Sequence, residues 1–167
     1  MTMKTTRRSE QAVSCATRSA PETQALGEAL GSLLAPGDLV AVTGPLGAGK
    51  TCFIQGLARG AGVTDNVTSP TFIIHRQHPG SVPFHHIDAY RLCDGGALLE
   101  AVGPELFSQG GIVAVEWAER VADTLPSDRL TVDIQYAEDG RFLSLAASGT
   151  RPREVLAQLG LPDDPGH

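Results

Sequence analysis

The sequence predicts a three-layer α/β sandwich with a mostly parallel central sheet and a C-terminal antiparallel hairpin. Two apolar runs typical of buried strands, residues 38–43 and 112–115, are separated by helical segments. Strands that alternate with helices favour a parallel sheet covered by helices on both faces. Near the end of the chain, two segments of alternating apolar and polar residues flank Glu138-Asp139-Gly140, which predicts a hairpin turn.

The N-terminal part of the chain is predicted to supply an edge strand and a helix. Residues 1–12 are polar and are expected to form a loose tail, and residues 13–17 are a candidate edge strand. Ser19 and Glu22 have the spacing of a capping box, with Ser19 as the N-cap. Leucines at helical spacing extend this helix to about Leu34, where Ala-Pro-Gly at 35–37 ends it.

The remaining elements follow the first buried strand in order. We expect a helix at 49–59, a loop at 62–70, strands at 71–77 and 84–88, short helical pieces within 94–109, hairpin strands at 130–135 and 142–146, and a last helix at 152–159. Residues 160–167 are expected to be a second loose tail. A chain of 167 residues without a repeat or a linker is expected to form one domain, residues 1–167.

Composition limits the classes of function. The chain has 13 Lys plus Arg against 19 Asp plus Glu, a formal net charge of −6. Nonspecific binding of nucleic acid needs a basic face, so the chain is not expected to hold nucleic acid unaided. Three cysteines (Cys15, Cys52 and Cys93) without paired spacing argue against a disulfide framework. No apolar run suits a signal peptide or a membrane span, and the expected compartment is the cytoplasm.

The eight residues from Gly44 to Thr51 read Gly-Pro-Leu-Gly-Ala-Gly-Lys-Thr, a complete phosphate-binding loop between a predicted strand and a predicted helix. Gly44, Gly47 and Gly49 let the backbone turn tightly and aim its amide groups inward. Lys50 is expected to reach the β- and γ-phosphates, and the Thr51 hydroxyl to bind Mg²⁺. The motif therefore predicts a P-loop NTPase-like fold that binds ATP or GTP with magnesium.

Two acidic residues at strand ends are candidates for metal and water chemistry. Glu116 follows the strand at 112–115, at the edge of the sheet where ligands of α/β proteins bind, and is the predicted second magnesium ligand. Asp88 ends another apolar stretch, where it could bind the metal through water or orient the attacking water. Ser69-Pro70-Thr71 occupies a position that senses the γ-phosphate in nucleotide switches, although such a segment is more often a simple turn.

The nearby histidines do not predict a zinc site. Their spacing matches no common ligand pattern, and strand alternation should send His85 and His86 to opposite faces. For Trp117 we expect a packing role, and its position next to Glu116 makes it a useful fluorescence reporter.

Taken in series, these segments resemble the TsaE-type (YjeE) family, ATPases of bacterial tRNA threonylcarbamoyladenosine biosynthesis. The matching segments are Gly44-Pro-Leu-Gly-Ala-Gly-Lys-Thr51, Thr68-Ser-Pro-Thr-Phe72, His86-Ile-Asp-Ala-Tyr-Arg91 and Val115-Glu-Trp-Ala-Glu-Arg120. The resemblance covers about residues 19–147. The sequence departs from the family at Pro45, where an acidic residue is usual, and at Cys52, which replaces a common threonine.

The resemblance implies a magnesium-dependent ATPase that is slow alone and is stimulated by partners of the TsaD and TsaB types. That complex forms the threonylcarbamoyl group on adenosine 37 (t6A37) of tRNAs that read codons beginning with A, so tRNA would be contacted only through the partners. The implied catalytic residues are Lys50, Asp88 and Glu116, and the implied metal ligands are Thr51 and Glu116. The implied nucleotide-binding residues are Ser19, Ala20, Gly44, Gly47, Ala48, Gly49, Lys50, Thr51, Cys52, Glu119 and Arg141.

Two other functions stay open at the level of sequence. A P-loop small-molecule kinase usually carries several arginines on a lid, whereas the arginines here are scattered along the chain. A nucleotide-gated interaction module with little hydrolysis is compatible with the acidic composition. Screening for phosphorylated nucleosides tests the first, and multiple-turnover phosphate release in the presence of partners tests the second.

Overall fold

Seven strands and four helices make up the described part of the chain, residues 11–65, 67 and 74–163, in a computed structural model of the protein. The strands are β1 (Gln11–Thr17), β2 (Leu39–Thr43), β3 (His75–His78), β4 (Phe84–Asp88), β5 (Ile112–Glu116), β6 (Arg129–Ala137) and β7 (Gly140–Ser148). The helices are α1 (Ala20–Gly31), α2 (Lys50–Gly60), α3 (Gly95–Val102) and α4 (Thr150–Leu159), with short 3-10 helices at Pro104–Ser108 and Ala118–Arg120.

The strands form one sheet in the order β1-β7-β6-β2-β5-β4-β3. The four central strands β6, β2, β5 and β4 are parallel, and the outer pairs are antiparallel. The mostly parallel centre and the C-terminal hairpin are therefore confirmed. Val42 and Asp88 both pair with Glu116, so the loop after β2 and the two acidic residues share one edge of the sheet.

Strand alternation divides the core into two layers of side chains, one on each face of the sheet. Val40 and Val42 of β2 pack with a cluster that includes Phe53 of α2 and Leu156 of α4. Leu39 and Ala41 of the same strand pack with a second cluster, which includes Leu98 of α3 and Leu106. Helices thus cover both faces, which gives the predicted three layers.

Helices α1 and α2 touch backbone to backbone. At each of four glycines, an added Cβ would lie only 2.0–2.3 Å from a carbonyl oxygen of the other helix: Gly27, Gly31, Gly56 and Gly60. Atoms cannot approach so closely, so these positions must lack a side chain. The contact fixes the start of α1 beside the start of α2.

Helix α1 begins as predicted and ends earlier. The Ser19 side chain accepts a hydrogen bond from the Glu22 amide at 3.2 Å, which confirms the N-cap, while the Glu22 carboxylate accepts from the Arg18 amide at 2.6 Å. The helix ends at Gly31 instead of Leu34, because the Leu34 amide bonds three residues back in a tight turn.

The edges of the sheet extend beyond their predicted limits. Strand β1 begins at Gln11 instead of residue 13, because Gln11 and Ala12 pair with β7. Residues 160–163, assigned to the loose tail, reach this edge as well: the Ser14 amide donates to the Pro162 carbonyl at 3.0 Å, and Asp163 bridges to Val13.

On the opposite edge, β3 covers residues 75–78, shifted from the predicted 71–77, and residues 71–73 lie outside the described part of the chain. None of the helices among the described residues has both the length and the apolar character to cross a bilayer.

Candidate nucleotide-binding site

The segment between β2 and α2 forms the candidate phosphate loop. Gly44, Gly47 and Gly49 have φ angles of 138°, 76° and 101°, in the left-handed region that favours glycine. At Gly44 a Cβ would also lie 2.2 Å from the carbonyl oxygen of Ile134. Helix α2 begins at Lys50 with Gly49 as its N-cap, one residue later than predicted, so its positive end faces the loop.

Lys50 places a buried cation at the loop. Its side chain donates to the carbonyl oxygens of Gly44 at 2.8 Å and Pro45 at 2.7 Å. Burial lowers the pKa of Lys50, while the negative charges of Glu116 and Glu119 act in the opposite direction. The ammonium is therefore held by neutral backbone acceptors, which a phosphate oxygen can replace with a stronger, charge-assisted hydrogen bond.

The aromatic ring of Trp117 packs against this ammonium group. The Nζ atom of Lys50 lies 3.8 Å from the ring centroid of Trp117, within the range of a cation–π contact. Trp117 has a left-handed backbone, with φ 58°, and its ring packs 5.0 Å from that of Tyr90. The predicted packing role of Trp117 is thus a contact with the loop lysine.

The two candidate magnesium ligands touch each other. The Thr51 hydroxyl donates to Oε1 of Glu116 at 2.7 Å, and Nε2 of His86 lies 3.0 Å from Oε2 of the same carboxylate. Burial raises the pKa of Glu116, but the hydrogen bonds from His86 and Thr51, together with the electrostatic effects of His86 and Lys50, outweigh burial, and the pKa falls below its usual value. An ionised carboxylate beside a hydroxyl supplies the hard oxygen donors that Mg²⁺ prefers, so these residues fit the metal.

The other predicted acidic residues lie around this centre. Asp88 ends β4 directly opposite Glu116 and accepts a hydrogen bond from the Tyr90 amide at 3.0 Å. Glu119 lies in the 3-10 helix after β5, close enough for its charge to act on Lys50. The candidate switch at 69–71 lies outside the described residues.

A cleft of about 270 Å³ opens beside the loop, between the start of α1 and the β6–β7 turn. It is lined by Arg18, Ser19, Ala20, Thr23, Ala48, Gly49, Cys52, Gly140 and Arg141. Six of these residues are among the nucleotide-binding residues implied by the family resemblance; Glu119 is not part of the lining. Cys52 links the two helices, because its thiol donates to the Ala20 carbonyl at 3.2 Å.

Side chains of the hairpin hold the outer side of the loop. Arg141 donates from Nε to the Ala48 carbonyl at 2.9 Å and from its terminal nitrogen to the Gly47 carbonyl at 3.2 Å. The Tyr136 hydroxyl donates to the Leu46 carbonyl, and the Arg141 guanidinium stacks over the Tyr136 ring at 4.6 Å. Three consecutive carbonyls are therefore bound by the hairpin.

Sequence reasoning gave no role to Tyr136 or His86. For His86 a signal was present: it lies two residues before Asp88, so strand alternation puts both on one face of β4. For Tyr136 no such signal was present, because its contact with the loop depends on β6 lying beside β2 in the sheet. The predicted separation of His85 and His86 is confirmed, since His85 bonds to His75 at 2.8 Å while His86 bonds to Glu116.

The chain resembles known proteins over most of its length. Residues 17–143 match the family described as threonylcarbamoyl adenosine biosynthesis protein TsaE. Proteins named tRNA threonylcarbamoyladenosine biosynthesis protein TsaE are 38% identical over 126 residues in Treponema pallidum (75% of this chain, 93% of the relative) and 38% identical over 146 residues in Bacillus subtilis (86% and 90%). The protein of the same name from Streptomyces coelicolor is 44% identical over 134 residues, which cover 75% of this chain and 90% of the relative.

The fold agrees with these similarities. The crystal structure of Bacillus subtilis YdiB matches with a TM-score of 0.77 at 32% identity, over 90% of this chain and 95% of that one. The matched sequence includes the glycine loop, Asp88, Glu116 and Arg141, the residues that meet around the candidate site. The chain therefore belongs to the TsaE family.

Proposed function

We propose that this chain is a magnesium-dependent ATPase that acts in the formation of threonylcarbamoyladenosine at position 37 of tRNA, together with partners of the TsaD and TsaB types. The observation that carries the proposal is the contact between Thr51 and Glu116 beside the buried Lys50. The candidate phosphate loop, the Lys50 cation and the candidate metal ligands thereby meet at one edge of the sheet. The relatives' names supply the pathway.

The phosphate groups of ATP would bind to the glycine loop. In this step Lys50 exchanges its hydrogen bonds to the Gly44 and Pro45 carbonyls for bonds to phosphate oxygens, which are stronger because both partners are charged. The N-terminus of α2 adds its partial positive charge on the same side. Arg141 and Tyr136 keep the loop carbonyls turned toward the hairpin.

Thr51 and Glu116 would hold the magnesium ion. When bound, magnesium neutralises negative charge on the phosphates as it develops during hydrolysis. Binding requires the hydroxyl of Thr51 to give up its hydrogen bond to Glu116, so that both oxygens become available. Asp88, next to Glu116 in the sheet, would orient the attacking water and accept its proton.

The cleft beside the loop would take the nucleoside part of ATP. Its volume of about 270 Å³ is close to the lower end of the range for small-molecule pockets, about 300 to 1,000 Å³. Ser19 and Ala20 at the start of α1 and Cys52 of α2 form one wall, and Arg141 lies across from them. The proposed preference for ATP over GTP is supported by the resemblance to the family, whose members are ATPases.

Contact with tRNA would be made by the partner proteins. The formal net charge of −6 gives the chain little means of binding a polyanion alone. Hydrolysis on this subunit would then drive or reset the partner complex, which carries out the transfer to adenosine 37.

Two measurements test the proposal. Magnesium-ATP at about 1,000 times its dissociation constant should stabilise the native protein by about 4 kcal/mol, a rise in unfolding midpoint on the order of 10 °C. Lys50→Ala should lose most of that shift, whereas Arg153→Ala, on the distant helix α4, should keep it. A native midpoint that ignores magnesium-ATP contradicts nucleotide binding.

Hydrolysis is tested by phosphate release over many turnovers, with and without the TsaD and TsaB type partners. Native protein should turn over faster with the partners. Asp88→Asn should reduce turnover more than it reduces nucleotide affinity, and Glu116→Gln should reduce the contribution of magnesium to binding. Phosphate release that stops at a single turnover in every mixture would instead support a nucleotide-gated interaction module.

A further inference from the structure

We propose that His86 is a positioning residue, which holds the Glu116 carboxylate in the orientation needed to bind magnesium. The inference deepens the proposed function and rests on it. His86 would not contact the metal or the nucleotide; it would act through the carboxylate alone.

The contact is buried and specific. Nε2 of His86, on β4, lies 3.0 Å from Oε2 of Glu116 on the neighbouring strand β5. The His86 side chain is fully buried and that of Glu116 is 6% exposed. The other carboxylate oxygen, Oε1, accepts the hydrogen bond from Thr51 at 2.7 Å. The carboxylate therefore cannot rotate without breaking one of two hydrogen bonds.

The sheet explains why these two side chains meet. Asp88 of β4 pairs with Glu116 of β5, and His86 precedes Asp88 by two residues, on the same face of the strand. Its side chain therefore reaches the Glu116 carboxylate, where it bonds the oxygen that Thr51 does not. The register of two central strands sets this arrangement.

A purely structural role accounts poorly for a histidine here. A carboxylate only accepts hydrogen bonds, so Nε2 must carry the hydrogen. Nδ1 of His86 is buried and has no hydrogen-bond partner among the described residues. An unsatisfied buried polar atom costs about 1–3 kcal/mol, so packing alone, without the Glu116 carboxylate to satisfy, would favour an apolar side chain at this position. What the ring provides is the hydrogen bond to Glu116.

Contacts of this kind have a measurable effect on metal sites. Residues that orient a ligand through a hydrogen bond change metal affinity by about 10- to 100-fold when they are removed. Without His86, Oε2 would be left buried without its donor, and the carboxylate would be free to turn away from Thr51. The magnesium contribution to nucleotide binding should fall, while binding of the nucleotide without metal should not.

The experiment is a calorimetric titration of the full chain with a non-hydrolysable ATP analogue, with and without Mg²⁺. The ratio of the two dissociation constants measures the contribution of magnesium. His86→Phe should reduce that ratio about tenfold or more and leave the magnesium-free affinity within about twofold. His86→Gln, whose amide can donate to Glu116, should recover part of the ratio.

The matched control is His85→Gln. His85 is the preceding residue on the same strand, is likewise buried at 4% exposure, and bonds to His75 on the opposite face. This variant should keep the native ratio, although its stability changes. If His86→Phe does not fold by circular dichroism, His86→Asn replaces it, since its shorter side chain withdraws the donor and should cause the same loss.

The outcomes separate this inference from the proposed function. A folded His86→Phe or His86→Asn variant that keeps the native ratio overturns the positioning role and leaves the ATPase proposal standing. A native protein that gains no affinity from magnesium overturns the metal site itself, and the role of His86 with it.

Discussion

Replacing Gly56 by alanine tests the backbone contact between α1 and α2, on which the candidate nucleotide cleft depends. The added Cβ would lie 2.0 Å from the carbonyl oxygen of Gln24, and real Cβ contacts essentially never fall below 3.0 Å. The two helices must therefore separate locally by about 1 Å (3.0 minus 2.0). Because the helix backbone fixes the positions of both the Cβ and the carbonyl oxygen, neither atom can rotate away.

Two opposing effects decide whether Gly56→Ala stabilises or destabilises the protein. Alanine is favoured over glycine inside a helix by about 1 kcal/mol. Overpacking of a close-packed interior costs about 1–3 kcal/mol, and a clash between two backbones belongs at the upper end of that range. We expect Gly56→Ala to destabilise the protein by about 2 kcal/mol, which lowers the unfolding midpoint by about 4–8 °C in a domain of this size.

The assay is thermal unfolding followed by circular dichroism, with Gly96→Ala as the control. At Gly96 in α3, the nearest atom to an added Cβ is a side-chain oxygen of Asp94 at 3.3 Å, so this substitution should not destabilise the protein and should raise its stability by up to about 1 kcal/mol. A Gly56→Ala variant that unfolds at or above the native midpoint would show that helix propensity prevails and that the helices do not touch as described.

Two further variants test the loop and the pair formed by His75 and His85. Tyr136→Phe removes the hydrogen bond to the Leu46 carbonyl, worth about 1 kcal/mol, so the unfolding midpoint of the nucleotide-free protein should fall by about 2–4 °C. Because the freed loop must be ordered again when it binds phosphate, affinity for ATP should fall by up to about fivefold in a calorimetric titration. Native values of both quantities would refute the role of the hairpin. Burial lowers the pKa values of His75 and His85, so the unfolded chain binds more protons at these residues than the folded chain does. The stability that the two residues contribute is therefore present above about pH 6.5 and is lost as the pH falls below that value. Urea unfolding from pH 8 to pH 5 should therefore depend less steeply on pH in His85→Gln than in the native protein, and equal slopes would contradict the assignment.

The parts of this fold that follow from local rules could be predicted from the sequence. The phosphate loop needs glycines at fixed positions between a strand and a helix, and the N-cap of α1 needs Ser19 followed by Glu22 at N3. Both sets of interactions lie within a few residues of chain. The structure contains the loop with a shift of one residue at the start of α2, and it contains the Ser19 N-cap with the Glu22 carboxylate bonded to the amide of Arg18 instead of that of Ser19.

Contacts that depend on strand order or helix packing could not be predicted in the same way. In the sequence, the glycines of α1 and α2, such as Gly31 and Gly56, are unfavourable residues for a helix. Their role becomes clear only from the contact between the two helix backbones. The bond from Tyr136 to the loop requires β6 to lie next to β2, although the two strands are far apart in sequence. The pairing of His86 with Glu116 likewise requires the register of β4 on β5.

The strand order also divides the candidate site into two parts with separate supports. The proposed contacts to metal and phosphate depend on β2, β5 and β4, and on α2 directly after β2, which bring Thr51, Glu116 and His86 together. The cleft proposed for the nucleoside depends on the start of α1 and on the hairpin, through Ser19 and Arg141. Because these supports lie on opposite sides of the loop, changes at His86 should alter the contribution of magnesium, whereas changes in the α1–α2 contact should alter nucleotide affinity equally with and without the metal.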